Sequence, residues 1–457
     1  MKNMTLLNIA KACGGKLIIS DNSCDKEVKG VVIDSRLVKK DYLFIAVKGE
    51  RVDGHDFIQS AADKGAIAAV CEKAPSSISI PYILVDNSLQ ALKDIATWYR
   101  MNLTIPVVGI TGSVGKTSTK EYVSSVLSQR YNVLKTEGNY NNEIGLPLTI
   151  LKIRKEHEIA VLEMGISQFG EMHRLSKIAK PNYCLLTNIG LCHLEQLGSR
   201  QGILKAKSEI FDFMYENGSI ILNGDDDMLA TIHNIRGITP IRYGFGSDND
   251  VYADNIVTNG LQGSSYNIHI NGETLSVNSP MPGKHMILNA LAAAATGRLL
   301  GLTGKEIIQG IEQIKPVSGR SNIIHHDKWT IIDDCYNANP VSMKAAIDLL
   351  AMADTRKVAI LGDMGELGTD EIKLHKEIGE YAASKKIDVI ICVGKLSAYM
   401  YKSAAEKLTD SSNNIFYFEK KEDLIKCLSD LLIEGDTILV KASRFMGFDH
   451  IVNMIRG

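Results

Sequence analysis

Residues 106–118 read Pro106-Val107-Val108-Gly109-Ile110-Thr111-Gly112-Ser113-Val114-Gly115-Lys116-Thr117-Ser118. An apolar run leads into a glycine-rich turn, and a lysine–threonine pair opens the polar stretch beyond it. This order predicts a buried strand over Val107–Thr111, a loop, and a helix running through Gln129. Glycines let backbone amides close around a polyphosphate, and the amides at a helix start add a positive field. Lys116 suits the outer phosphates and the Thr117 hydroxyl suits Mg²⁺, with Gly112, Ser113, Val114, Gly115 and Ser118 completing the cradle. The full phosphate-loop pattern has a glycine where this chain has Ile110. A plain glycine turn with a solvated lysine would not explain why glycine, lysine and threonine fall together at a helix start.

Working outward, strands are expected over Ile159–Glu163, 183–188 and 219–222, separated by helical stretches. That alternation predicts a mostly parallel sheet covered by helices. Residues 251–280 break the rhythm. Strands over 266–270 and 274–277 flank Asn271-Gly272, which predicts a type I′ hairpin and an antiparallel addition to the central sheet. An alanine-rich helix covers 286–300. On the N-terminal side, short apolar runs over 42–47, Ala66–Cys71 and 82–85 alternate with polar connections, and 91–101 reads as a helix. On the C-terminal side, strands over Thr330–Asp333, 357–361, Val389–Val393 and 437–440 alternate with helices, as in a Rossmann-like domain. Breaks near 103–106 and 315–316 divide the chain into residues 1–102, 103–315 and 316–457. The expectation is thus an α/β protein of three domains.

Bulk properties agree. At about 150 residues per domain, 457 residues make roughly three. A formal net charge of −2 without a lysine or arginine block argues against nucleic acid or an acidic membrane surface as partner. The eight cysteines, Cys24 among them, are scattered without a Cys-x-x-Cys pair, which speaks against a zinc site and for a reducing compartment. The first residues lack a long apolar core and a small-residue cleavage site, and no apolar run is long enough to span a bilayer, so a cytoplasmic protein is expected.

Three side chains downstream of the loop are candidates for cation chemistry. Glu163 ends an apolar strand, where a carboxylate beside a phosphate loop can hold Mg²⁺. His193 follows the strand over 183–188; by itself it reads as an ordinary structural histidine, since magnesium prefers oxygen. Lys207 lies in Leu204-Lys205-Ala206-Lys207-Ser208-Glu209 and by itself reads as a solvated helix lysine.

Taken in order, further segments give these residues a context: Asp34-Ser35-Arg36, Leu43–Gly49, Asp53-Gly54-His55-Asp56-Phe57, Gly138-Asn139-Tyr140-Asn141-Asn142-Glu143-Ile144-Gly145, Glu163-Met164-Gly165, His193-Leu194-Glu195, Pro282–Asn289, Ser318-Gly319-Arg320, Asp333-Asp334-Cys335-Tyr336-Asn337-Ala338-Asn339-Pro340, Gly362–Gly368 and Val440–Arg444. Together they resemble the Mur ligase family over nearly the whole chain. The asparagine-rich segment and the Asp333–Pro340 stretch resemble its dipeptide-adding branch.

The resemblance implies a ligase that uses ATP and Mg²⁺, two ions, to activate a UDP-linked muramoyl tripeptide as an acyl phosphate and to join it to D-alanyl-D-alanine. It implies that Ser35, Arg36, Asn141 and Asn142 meet the UDP-linked substrate, that Asn289 lies near adenine, and that Arg320 reaches the ATP phosphates. It further implies that Asp334 binds ribose and that Lys116, Glu163, His193, Lys207 and Arg320 are the catalytic set. Lys207 would be carbamylated, so that a cation-repelling amine becomes an oxygen ligand alongside Thr117, Glu163 and His193. Asn337 and Asn339 would line the dipeptide pocket. A monomer is expected. The residues alone leave open a folate polyglutamylating ligase, another amino-acid-adding member, or a non-catalytic nucleotide-binding module. The two asparagine-containing segments weigh against the first two, and the Glu163, His193 and Lys207 series against the third.

Overall fold

The computed structural model describes residues 1–19, 25–75, 80–408 and 414–457, so Cys24 lies outside the described residues. The chain gathers into two compact units. One holds residues 1–111, 131–185 and 207–219; the other holds residues 112–130, 186–206 and 220–457.

The first unit opens with a five-stranded sheet in the order Lys16–Ile18, Tyr82–Leu84, Ala66–Cys71, Tyr42–Ile45, Gly30–Val32. Only its first pairing is antiparallel. The helix Ser88–Met101 starts where the Asn87 side chain accepts from the Gln90 amide, and it buries Ala91, Leu92, Ile95, Ala96 and Tyr99. That spacing is the 3.6-residue stripe of a helix covering a core. Arg100 on the same helix is 1% exposed, and its guanidinium donates to the carbonyls of Ala179 and Lys180. The unit also carries the strands Val133–Lys135, Ile159–Glu163, Val107–Thr111 and Tyr183–Leu186, hydrogen-bonded in that order. Val107–Thr111 and Ile159–Glu163 are parallel and buried at every position. Strands covered on both faces read as continuous apolar runs, which is why both were legible. The strand expected over 183–188 stops at Leu186, and the next two residues turn away to serve the phosphate loop (below).

The second unit holds the strands Ser219–Asn223, Ile241–Gly244, Val251–Thr258, Ser264–Ile270 and Glu273–Ser279 in sequence order. Pairing switches from parallel to antiparallel after Val251–Thr258. Asn271 and Gly272 have φ of 49° and 77°, as a type I′ turn needs. Three helices pack together here: Lys116–Leu127, Lys284–Leu299 and Gly304–Glu312. The remaining sheet has the order Asn322–His325, Thr330–Asp333, Thr437–Lys441, Lys357–Gly362, Val389–Val393, Ile415–Phe418. It is parallel except for the first pairing. Its two faces bury separate clusters, one built around Ile347, Leu361 and Ile378, the other around Ile360, Ile391 and Phe448. Among the described residues no helix is long and apolar enough to cross a membrane.

The phosphate-loop helix is braced by close backbone contact. A methyl group on Gly310 would lie 2.4 Å from Val126 Cα, a backbone atom that cannot swing aside. Gly310→Ala should therefore lower stability by roughly 1–3 kcal/mol through overpacking. Urea denaturation followed by circular dichroism checks this, with an unchanged midpoint counting against it.

Candidate active site

The loop after Val107–Thr111 is built on one missing side chain. Gly112 has φ of 150°, and a Cβ there would sit 1.9 Å from Thr187 Oγ1. Space that close lets the next residues fold onto 187–190. The Val114 carbonyl accepts from Thr187 Oγ1 (2.6 Å) and Asn188 Nδ2 (2.9 Å), and the Val114 amide donates to Asn188 Oδ1 (3.0 Å). The Ser113 amide donates to the Asn188 carbonyl at 2.9 Å. Gly115, at φ of 85°, is the N-cap of the helix Lys116–Leu127 and brings no side-chain cap. The first turn carries no acidic residue. Amides at such a start have no intrahelical acceptor and face outward with the positive end of the helix dipole. Lys116 folds back over this loop, its ammonium 2.8 Å from the Gly112 carbonyl. Asn289 closes the other side: Thr119 Oγ1 donates to its Oδ1 at 2.9 Å, and the same oxygen lies 3.3 Å from where a Gly115 Cβ would be. Its amide points at Met286 Sδ, 3.5 Å away.

In the first unit, Glu163 pairs in register with Ile110, two residues before Gly112. It is 2% exposed. Asn141 Nδ2 donates to Glu163 Oε1 at 2.7 Å, and the Gly165 amide donates to the Asn141 carbonyl at 2.8 Å. Glycine at 165 leaves room for this, since a Cβ would lie 2.9 Å from Asn141 Cγ and push that side chain aside. Asn142 acts locally, its Oδ1 accepting from the Ile144 and Gly145 amides. Ser35 is buried, while Arg36 is exposed and forked onto Asp34, whose carboxyl it holds below the usual range. Lys207 is wholly buried. The solvated-lysine reading is thereby overturned. Ile203, Lys207 and Ile210 recur at helical spacing, and both isoleucines are fully buried.

In the second unit, Arg320 Nη2 lies 3.5 Å from Thr117 Oγ1, and its guanidinium stacks over the Tyr336 ring at 4.0 Å. Arg444 lies over the same ring at 4.8 Å. Both oxygens of Asp334 are engaged: Oδ1 accepts from the Ser321 amide, and Oδ2 pairs with Lys441 Nζ at 2.6 Å. The buried Lys441 also donates to the Asn337 carbonyl. Asn337 Oδ1 accepts from the Ala338 amide, and Asn339 forms a capping box with Ser342 at the start of the helix Pro340–Ala351.

His193 Nδ1 lies 2.7 Å from Glu366 Oε2, and this contact is the main cause holding the Glu366 carboxyl below its ordinary pKa. The turn carrying Glu366 is held from beneath. The Met364 amide donates to His375 Nε2, the Gly365 amide donates to Ser443 Oγ, and Asp363 Oδ1 accepts from the Ser397 amide and hydroxyl.

Known proteins share this pattern along the whole chain. Three family models match in sequence: "Mur ligase family, catalytic domain" over residues 27–100, "Mur ligase middle domain" over 110–297, and "Mur ligase, glutamate ligase domain" over 319–444. A UDP-N-acetylmuramoyl-tripeptide–D-alanyl-D-alanine ligase of Bacillus subtilis is 38% identical across 99% of this chain and 98% of its own. The chain belongs to the Mur ligase family. A crystal structure of MurF from Acinetobacter baumannii, 32% identical, superposes with a TM-score of 0.90 over 99% of this chain and 98% of its own. A MurF ligase from Thermotoga maritima in complex with ADP, 31% identical, reaches 0.82 over 94% and 97%.

Within this Mur ligase, sequence reasoning missed the residues that hold others in place. Thr187 and Asn188 read as the end of a strand. Tyr336, Glu366, Lys441 and Ser443 sat inside quoted segments without a role. Their only signal was position: all follow or end a buried strand, where α/β ligases gather ligands.

Two expectations follow. Asn188→Ala removes two hydrogen bonds to the Val114 backbone, one to its amide and one to its carbonyl, each worth about 1 kcal/mol. Titration calorimetry should show Mg–ADP binding roughly 10- to 30-fold weaker, and unchanged affinity would disprove the clamp. His375 is buried, and its pKa is lowered chiefly by that burial, against the opposing pull of the Glu371 carbonyl, Asp363 and Glu371. Its folded pKa thus lies below the unfolded value of about 6.5, so its stabilising contribution is complete above that pH and is lost as pH falls toward the folded pKa. Between about pH 7 and about pH 5.5, wild type should lose more stability than His375→Gln, as read from denaturation midpoints.

Proposed function

We propose that this Mur ligase joins D-alanyl-D-alanine to UDP-N-acetylmuramoyl tripeptide with ATP, giving the pentapeptide, ADP and phosphate, as a cytoplasmic step of peptidoglycan precursor synthesis. The observation that carries the chemistry is the phosphate loop clamped by Asn188 with Lys116 folded over it. The near end-to-end likeness to the Bacillus subtilis ligase of that name supports the substrates, and the ADP complex of the Thermotoga maritima relative supports the nucleotide.

In this reading the tripeptide carboxylate attacks the γ-phosphorus, the bond to the bridging oxygen breaks, and ADP leaves an acyl phosphate behind. The dipeptide amine then attacks the acyl carbon. The tetrahedral intermediate loses its proton and expels phosphate, and the amide remains. Lys116 and Arg320 offset negative charge on the transferring group, and the backbone amides at the helix start hold the phosphates in line. Asn289 flanks adenine and Asp334, fixed by Lys441, meets the ribose. Ser35, Arg36, Asn141 and Asn142 serve the UDP-linked substrate, and Asn337 and Asn339 the dipeptide.

Taken singly, the Thr117 hydroxyl in the second unit and the buried Glu163 carboxylate in the first, steadied by Asn141, are oxygen donors of the kind a hard divalent cation takes, while the His193 ring is already engaged at Nδ1. Magnesium, when bound, would neutralise phosphate charge. The burial of Lys207 removes the solvated alternative, as a carbamate at this position requires.

The test is ADP release with UDP-muramoyl tripeptide and D-alanyl-D-alanine, against single amino acids. Wild type should require the dipeptide, Lys116→Ala should fall roughly 10²- to 10³-fold, and Lys207→Ala should be partly restored by short carboxylate anions. ATP left intact while an amide forms, or a fully active Lys116→Ala, would refute the proposal.

A further inference from the structure

The His193–Glu366 contact is not explained as a stabilising ion pair. The Glu366 side chain is 60% exposed, and exposed pairs add little to stability. Yet both partners occupy the left-handed backbone region, His193 at φ of 53° and Glu366 at 62°. Side chains other than glycine rarely sit there, and such residues collect where a particular side-chain direction is needed. Two such residues meet here through their side chains. They come from separate parts of the chain, His193 from the segment matched as the middle domain and Glu366 from the glutamate ligase domain.

The turn bearing Glu366 is held at several points. His375, Ser443 and Ser397 hold its backbone and Asp363, and Leu367 is buried. Gly368, itself at φ of 62°, passes so close that a Cβ would lie 3.5 Å from Glu195 Cα. The turn therefore lies directly against the His193-Leu194-Glu195 backbone. A carboxylate accepting from one imidazole nitrogen sets the tautomer and aims the other nitrogen, an arrangement general among metal-binding histidines.

We propose that Glu366 is the positioning residue of His193: it holds the proton on Nδ1 and leaves the Nε2 lone pair as the ligand atom for the divalent cation. This rests on the reading of His193 as a ligand. It makes the metal-binding competence of one domain depend on a carboxylate delivered by another.

Two measurements on the full chain test it. In metal-free protein, long-range ¹H–¹⁵N spectra should report His193 as the Nδ1–H tautomer, and Glu366→Ala should shift it toward the Nε2–H form. With Mn²⁺ and a non-hydrolysable ATP analogue, electron paramagnetic resonance of free Mn²⁺ gives the affinity. Glu366→Ala should weaken it roughly 10- to 100-fold, Glu366→Gln, which keeps an oxygen acceptor, should fall between, and adding Glu366→Ala to His193→Ala should change nothing further. If His193→Ala weakens Mn²⁺ but Glu366→Ala moves neither affinity nor tautomer, the positioning role is overturned by itself. If His193→Ala leaves Mn²⁺ affinity intact, the ligand reading beneath it falls as well.

Discussion

One residue, Val114, is gripped through both of its backbone polar groups: its carbonyl by Thr187 and Asn188, its amide by Asn188 again. The grip exists only because Gly112 has no Cβ to strike Thr187. With those two successive peptides held, the start of the helix Lys116–Leu127, which has no side-chain cap, presents its amides in one direction. Preorganised donors lose little freedom on binding, which is what a loop of this kind needs in order to take an anion. Gly310 and Asn289 then fix the same helix from two other sides.

The sheet from Asn322 to Lys441 applies the same principle to its loops. Three neighbouring parallel strands, Thr330–Asp333, Thr437–Lys441 and Lys357–Gly362, end side by side. Lys441 ties the first loop to the second strand through Asp334 and the Asn337 carbonyl, and Ser443 ties the second loop to the third through the Gly365 amide. Tyr336 gives Arg320 and Arg444 an aromatic face to rest on in place of a carboxylate. A guanidinium held by a ring keeps its charge available for an anionic ligand, whereas one forked onto a carboxylate has its charge answered locally.

Legibility followed burial pattern. Val107–Thr111, Ile159–Glu163, Thr330–Asp333 and Val389–Val393 were readable to the residue because both faces of each are largely covered, so the run is apolar with polar residues only at its ends. The strands Ile241–Gly244, Asn322–His325 and Ile415–Phe418 were not: each is short and of mixed burial, and neither period shows over four residues. Lys207 was misjudged taken singly because a lysine's residue type argues for water, whereas the fold buries it completely, as it does Ile203 and Ile210 on either side in sequence.

By itself the sequence determined the α/β class, the phosphate loop, the strand-end carboxylate and, through the ordered segments, the family. These depend on local chemistry: glycine where backbone must pass closely, apolar runs where strands are covered, a lysine at a helix start. Only the tertiary structure decided who holds whom: Asn188 on Val114, Asn141 on Glu163, Lys441 on Asp334, Glu366 on His193. Those partners lie between 22 and 173 residues apart in the chain, and a hydrogen bond is set by distances of a few ångströms that no spacing along a sequence encodes.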